Sequence, residues 1–152
     1  LAALRTPQGV LSETLALLLY VAQTHPQAKL APLDDPYRLA HMQEFNSFLA
    51  STVHINHAHR PRAARWADDE AAHKAMQAKV PQNMRDAFTL IEQHYLGDQT
   101  WVLGDEYSVA DPYLFTMAGW LKSDGVDIQE FPRVAAHFER VKARPAVQQA
   151  LA

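Results

Sequence analysis

The chain opens with short apolar runs separated by turn-forming residues, then settles into long stretches with helical spacing. Leu1 to Arg5 is apolar enough to predict a strand, and Thr6-Pro7-Gln8-Gly9 supplies the turn chemistry to reverse it. Val10 and Leu11 return as a second strand, and Ser12 is a candidate N-cap for the helix that follows. In that helix Leu15, Leu18, Leu19 and Ala22 share a face, which Leu17 and Val21 widen. A helix apolar almost all round calls for cover on both sides, and an isolated hairpin cannot provide it. This end therefore reads as the last third of an α/β domain whose first two thirds precede Leu1, and the absence of an initial Met fits a processed or partial chain.

From His25 to Pro36 the pattern breaks, with Pro26, Pro32 and Pro36 as punctuation. Helical spacing resumes at Tyr37 through Leu39, Met42, Phe45, Phe48, Leu49 and Val53, and Pro61 should end it. A second long segment, Asp68 to Tyr95, carries Met76, Val80, Met84, Phe88 and Ile91, with a kink or break expected at Pro81. Gly97 to Gly104 is a loop with Trp101 and Leu103 turned inward. Helices are then expected over Ser108–Leu121, Pro132–Ala143 and Pro145–Leu151. Ser108 with Asp111 three residues on predicts a capping box, a structural role rather than a catalytic one. The fold class is thus mostly α: 1–26 the end of an α/β unit, 27–36 a linker, 37–152 an all-α bundle.

Composition narrows the function. Fourteen Lys and Arg against 17 Asp and Glu give a net charge of -3, with the basic residues scattered, which argues against a nucleic-acid partner. The run Leu15–Ala22 is too short to span a bilayer. There is no cysteine, so no disulfide and no thiolate nucleophile, which suits a reducing compartment. Only five glycines occur, with no phosphate loop and no GxSxG. His54, His57 and His59 cluster in VHINHAHR, but without HExxH or an intervening carboxylate they predict a cleft or interface rather than a metal site. At the mouth of the first helix, Glu13 and Thr14 are either ordinary first-turn residues or half of a binding site. The free N–H groups and positive dipole end suit a carboxylate, and Glu13 suits an ammonium. A free amino-acid moiety would satisfy both.

Several stretches together resemble the soluble glutathione S-transferases, most nearly the bacterial beta type. GVLSETLALLLYVAQTHP is similar to the end of the family's thioredoxin-like domain, and FNSFLASTVHINHAH to the first long helix of its all-α domain. LGDQTWVLGDEYSVADPYLFTMAGW resembles its WxxG loop, buried capping box and central helix, and FPRVAAHFERVKARPAVQQAL its closing helices. The resemblance implies an all-α domain preceded by the last β-hairpin and helix of a thioredoxin-like domain. It implies conjugation of the glutathione thiolate to a small hydrophobic electrophile, in a cytoplasmic homodimer with no membrane or nucleic-acid partner. Glu13 and Thr14 would hold the γ-glutamyl end of glutathione, Ser51 would face it across the dimer, and His54 would be an auxiliary at the cleft. The electrophile would lie near His54 to His59 and Tyr113 or Trp120.

The departures are specific. The catalytic Tyr, Ser or Cys of the family lies in the segment before Leu1, so the catalytic residue is unknown and these 152 residues alone are expected to be inactive. Ile55 stands where the beta type has a basic residue, and Ala2 or Ala3 where it has a cis-proline. These departures suit the alternative, a non-catalytic binding or regulatory protein of the same fold.

Overall fold

In the computed structural model, which describes residues 2–152, the chain begins with strands β1 (Ala3–Thr6) and β2 (Gly9–Ser12). Leu1, the first residue of the expected strand, lies outside the described residues. The strands pair antiparallel, Ala3 opposite Ser12 and Thr6 opposite Gly9. Their turn is closed by the Thr6 hydroxyl, which donates to the Gly9 carbonyl at 2.8 Å and accepts from the Gln8 N–H at 3.2 Å.

Ser12 does not cap the next helix. It stays in β2, and α1 (Thr14–Thr24) begins directly after Glu13, whose backbone is left-handed at φ 70. That sharp reversal puts Glu13 itself at the cap position and leaves α1 with no side-chain cap. Within α1 only Ala22 is fully buried; Leu15 and Leu18 pack partly on the helical core. Leu17, Leu19, Tyr20 and Val21 keep intermediate exposure, so the broad apolar surface of this helix is covered on one flank only.

The chain then passes through a 3-10 turn, Pro26–Ala28, and is pinned where the Val109 N–H donates to the Leu30 carbonyl at 2.8 Å. Helix α2 (Pro36–Phe48) is capped by Asp35, whose carboxylate accepts from the Arg38 N–H at 3.0 Å. It continues through a π turn, Leu49–Val53, into α3 (His54–Ala58). Asp69 caps α4 (Glu70–Leu90) by accepting from the Ala72 N–H at 2.8 Å. Pro81 lies inside α4 without ending it, contrary to a break there. Burial of Val80, Met84 and Phe88 holds the helix on both sides of the lost backbone bond. A second π turn, Ile91–Leu96, closes that segment at Gly97.

Helix α5 (Ala110–Ala118) is shorter than Ser108–Leu121, because from Gly119 the chain unwinds into tight turns that end at Gly125, φ 79. Helices α6 (Pro132–Lys142) and α7 (Pro145–Leu151) complete the bundle. Phe45, Leu49, Met84, Phe88, Ile91 and Leu114, all fully buried, form its centre. The architecture is mostly α with one small antiparallel sheet, as expected. Among the described residues no helix is long and apolar enough to cross a membrane.

Two buried carboxylates lock the bundle. Asp111 reaches back to the Ser108 N–H at 2.8 Å, as a capping box requires, while the Ser108 hydroxyl accepts from Ala110 rather than the third residue of the turn. Asp111 also accepts from the Val102 N–H at 2.9 Å and lies 2.8 Å from His137 Nε2, a buried partner on α6. Glu92, in the second π turn, caps α6 from outside by accepting the N–H groups of Arg133 and Val134, each at 2.9 Å.

Candidate functional site

The entrance to α1 is the first component. Because Glu13 occupies the cap position without a side-chain hydrogen bond, the first-turn N–H groups that follow it have no capping oxygen. The positive end of the helix dipole lies at the same point. The Glu13 side chain is exposed and forms no ion pair among the described residues; its carbonyl accepts from the Leu17 N–H at 3.0 Å. The left-handed backbone of a non-glycine residue is uncommon and is retained where neighbouring structure demands it. Tyr113 of α5, itself buried, lies within the field of the Glu13 charge. Burial pushes the Tyr113 hydroxyl above the ordinary phenol range, and the Glu13 charge raises it further.

The second component sits on the π turn between α2 and α3. There the His54 N–H bonds to the Leu49 carbonyl, one residue farther back than in an α-helix. Ser51 is exposed and donates to the Ser47 carbonyl at 2.8 Å. His54 is partly buried against Trp120, ring centroids 5.3 Å apart. Its imidazolium is disfavoured first by burial, then by the charges of His57, Arg62 and Arg65, so its pKa lies below the ordinary histidine value.

The third component lacks a local sequence signal. His57 stacks on Trp120 at 4.2 Å, and its Nδ1 lies 3.0 and 2.8 Å from the two oxygens of Asp124. A carboxylate accepts, so Nδ1 carries the proton and Nε2 is left for other partners. Asp124 is fully buried; burial raises its pKa, an effect offset in part by the His57 hydrogen bond and charge and the Arg60 charge. Asp124 is sixty-seven residues from His57 and sits in the turns after α5, so no spacing could have paired them. His137 and Glu92, by contrast, had a signal. Each interrupts an apolar stripe, His137 between Val134 and Val141 and Glu92 between Phe88 and Leu96.

Helix α5 and the turn after it thus reach both ends of the site: the Glu13 charge bears on Tyr113, and Trp120 packs against His54 and His57. No hydrogen bond within the described residues joins Glu13 or Thr14 to Ser51 or His54. No group of three or more His, Cys, Asp or Glu able to hold a metal ion occurs among those residues. A separate cavity of about 640 Å³ flanks the linker, lined by Lys29, Arg38, Tyr107 and Arg144 among others, and none of the site residues borders it.

Known proteins share this fold. Residues 15–145 match the family described as Glutathione S-transferase, C-terminal domain. A glutathione S-transferase of Xanthomonas campestris pv. campestris is 26% identical over 144 residues, covering 95% of this chain and 70% of its own length. The glutathione S-transferase GstA of Escherichia coli O157:H7 is 27% identical over 143 residues, 93% of this chain and 67% of its own. Among solved structures, a glutathione transferase homolog from sulfitobacter, crystallised with bound glutathione, superposes with a TM-score of 0.93. It shares 39% identity and covers 98% of this chain and 80% of its own.

Proposed function

The chain belongs to the glutathione S-transferase family, and we propose that it takes part in transfer of the glutathione thiolate to a small hydrophobic electrophile. The observation that carries the reading is the entrance to α1. A carboxylate without an ion pair among the described residues, on a left-handed backbone, stands beside a helix start that no described side chain caps. This donor set fits the amino-acid end of glutathione: Glu13 faces the ammonium, and the first-turn N–H groups with the Thr14 hydroxyl face the carboxylate. Ser51 would complete the contact across a homodimer built on α2, α3 and α4. In this reading 1–26 is the end of the thioredoxin-like domain, 27–36 the linker and 37–152 the all-α domain.

Glutathione supplies the thiol nucleophile when bound; the chain's own residues hold and surround it. Glu13 and Thr14 fix one end of the tripeptide, so the thiol is presented in one orientation rather than many. His54, held near neutral pH as the uncharged imidazole, faces the cleft as a proton acceptor or donor, with Trp120 behind it. Titration of glutathione into the wild-type polypeptide and Glu13→Gln tests the reading. The expected result is a loss of about tenfold or more in affinity, from one charge-assisted contact. Equal affinity would sink it. A second reading, a non-catalytic binding protein, is favoured by the exposed Ile55 in place of a basic residue. Glutathione binding without turnover would select it.

A further inference from the structure

We propose that His57 and Asp124 form a base of their own: an imidazole whose outward Nε2 accepts a proton from a nucleophile, or an acyl group from an activated carbonyl compound. Three histidines of the chain meet a carboxylate at 2.8 Å, and the three pairs differ in their surroundings. His41 and Glu44 both lie at the surface, where water screens the contact. His137 and Asp111 are both buried, and Nδ1 of His137 is sealed in without a partner among the described residues. His57 and Asp124 combine the two: the acid is fully buried, while the imidazole side chain is 18% exposed. Nε2 of His57 has no hydrogen-bond partner among the described residues and is not one of the sealed atoms, so this nitrogen meets solvent.

The contacts of Asp124 are not those of a structural carboxylate. Asp111 and Glu92 accept backbone N–H groups and so hold separate segments together. Among the described residues both oxygens of Asp124 meet His57 Nδ1 alone. A buried carboxylate with a single side-chain donor is an unfavourable way to hold a turn. This turn is already held by its backbone: the Asp124 N–H donates to the Trp120 and Leu121 carbonyls at 3.1 and 3.0 Å, and the Val126 N–H to the Leu121 carbonyl at 3.0 Å. The same turn carries Trp120, stacked on the His57 ring at 4.2 Å with 20° between the planes. One short segment therefore grips the imidazole by its face and by Nδ1 and leaves Nε2 open. A proton taken at Nε2 makes an imidazolium whose counter-ion is already in place, with little reorganisation. His54, the other ring against Trp120, has no carboxylate partner among the described residues.

Carbethoxylation tests the pair without glutathione, so this proposal and the glutathione reading stand or fall separately. Diethyl pyrocarbonate reacts at an unprotonated ring nitrogen: the N–C bond forms, the anhydride C–O bond breaks, and ethyl carbonate leaves with the ring proton. Brief treatment of the polypeptide near neutral pH, followed by peptide mass mapping, gives a rate for each histidine, with fragment ions separating His57 from His54 and His59. Exposure alone would rank His41, at 41%, ahead of His57, at 18%. The pair should reverse that order, His57 reacting about tenfold faster than His41 while His137 stays unmodified. Asp124→Asn keeps an acceptor for Nδ1 but removes the charge. It should slow His57 to the His41 rate or below and leave His41 itself unchanged. A wild-type His57 no faster than His41, or a His57 rate unchanged in Asp124→Asn, overturns the proposal. Modification of His137 reports unfolding of that variant, in which case the wild-type order alone decides.

Discussion

Replacing Asp111 with alanine should nearly unfold the bundle. The carboxylate is fully buried and takes three donors: the Val102 N–H at 2.9 Å, the Ser108 N–H at 2.8 Å and His137 Nε2 at 2.8 Å. Each orphaned buried donor costs about 1–3 kcal/mol, so three unrelieved ones would cost roughly 3–9 kcal/mol. Water entering the space left by the carboxylate relieves part of this, which brings the expected loss to about 3–5 kcal/mol. A domain of this size has about 5–15 kcal/mol in total, so the variant would be marginal. Equilibrium urea denaturation should show the midpoint falling with the slope unchanged. Asp111→Asn is the control: its amide oxygen can still serve Val102 and His137 while its NH2 meets the Ser108 N–H, so it should lose less than alanine. A loss below about 1 kcal/mol for alanine would refute the view that one carboxylate ties the loop, α5 and α6 together.

Two further outcomes follow from the site's electrostatics. Glu13→Gln should lower the titration midpoint of Tyr113, since the Glu13 charge helps to raise it; ultraviolet pH titration of the phenol reads this, and an unmoved midpoint would separate the two residues. At Asp124 the folded pKa is raised, so its contribution to stability is present at low pH and lost as pH rises through the folded value. Asp124→Asn, which keeps an acceptor for His57 Nδ1, should therefore gain on wild type as pH climbs from the ordinary carboxylate range and level off above it. Asp124→Ala, which leaves that N–H without a partner, should lose about 1–3 kcal/mol, and thermal melts across pH would distinguish the two.

Much of the helical plan was legible because apolar residues recur at helical spacing and prolines mark the ends: Pro36, Pro132 and Pro145 each open a helix. The Asp111 carboxylate reaching back to Ser108 was legible for the same local reason. What escaped were contacts between distant segments. Nothing near His57 announces Asp124, and nothing near Arg133 announces that Glu92 caps its helix. Ser12 was a good cap by type and failed because the left-handed Glu13 stands between it and the first turn. Glu13 and Thr14 stood out in the sequence as a residue pair, but the strained backbone that presents Glu13 is a property of the folded turn.

The π turn at Leu49–Val53 has a consequence for how this helix can change. Burial follows Met42, Phe45, Leu49 and Val53 at three- and four-residue steps, then skips to Ala58, five on. The turn takes up one residue beyond what the α pitch accommodates, so the residues after it keep their face toward the core. Deleting Thr52 should restore the α pitch with His54 and His57 still against Trp120, whereas deleting one residue from the regular turns of α2 would rotate everything after it by about 100°. Loss of one residue at this turn is therefore a change of length alone, whereas the same event one turn earlier in the helix is a change of recognition.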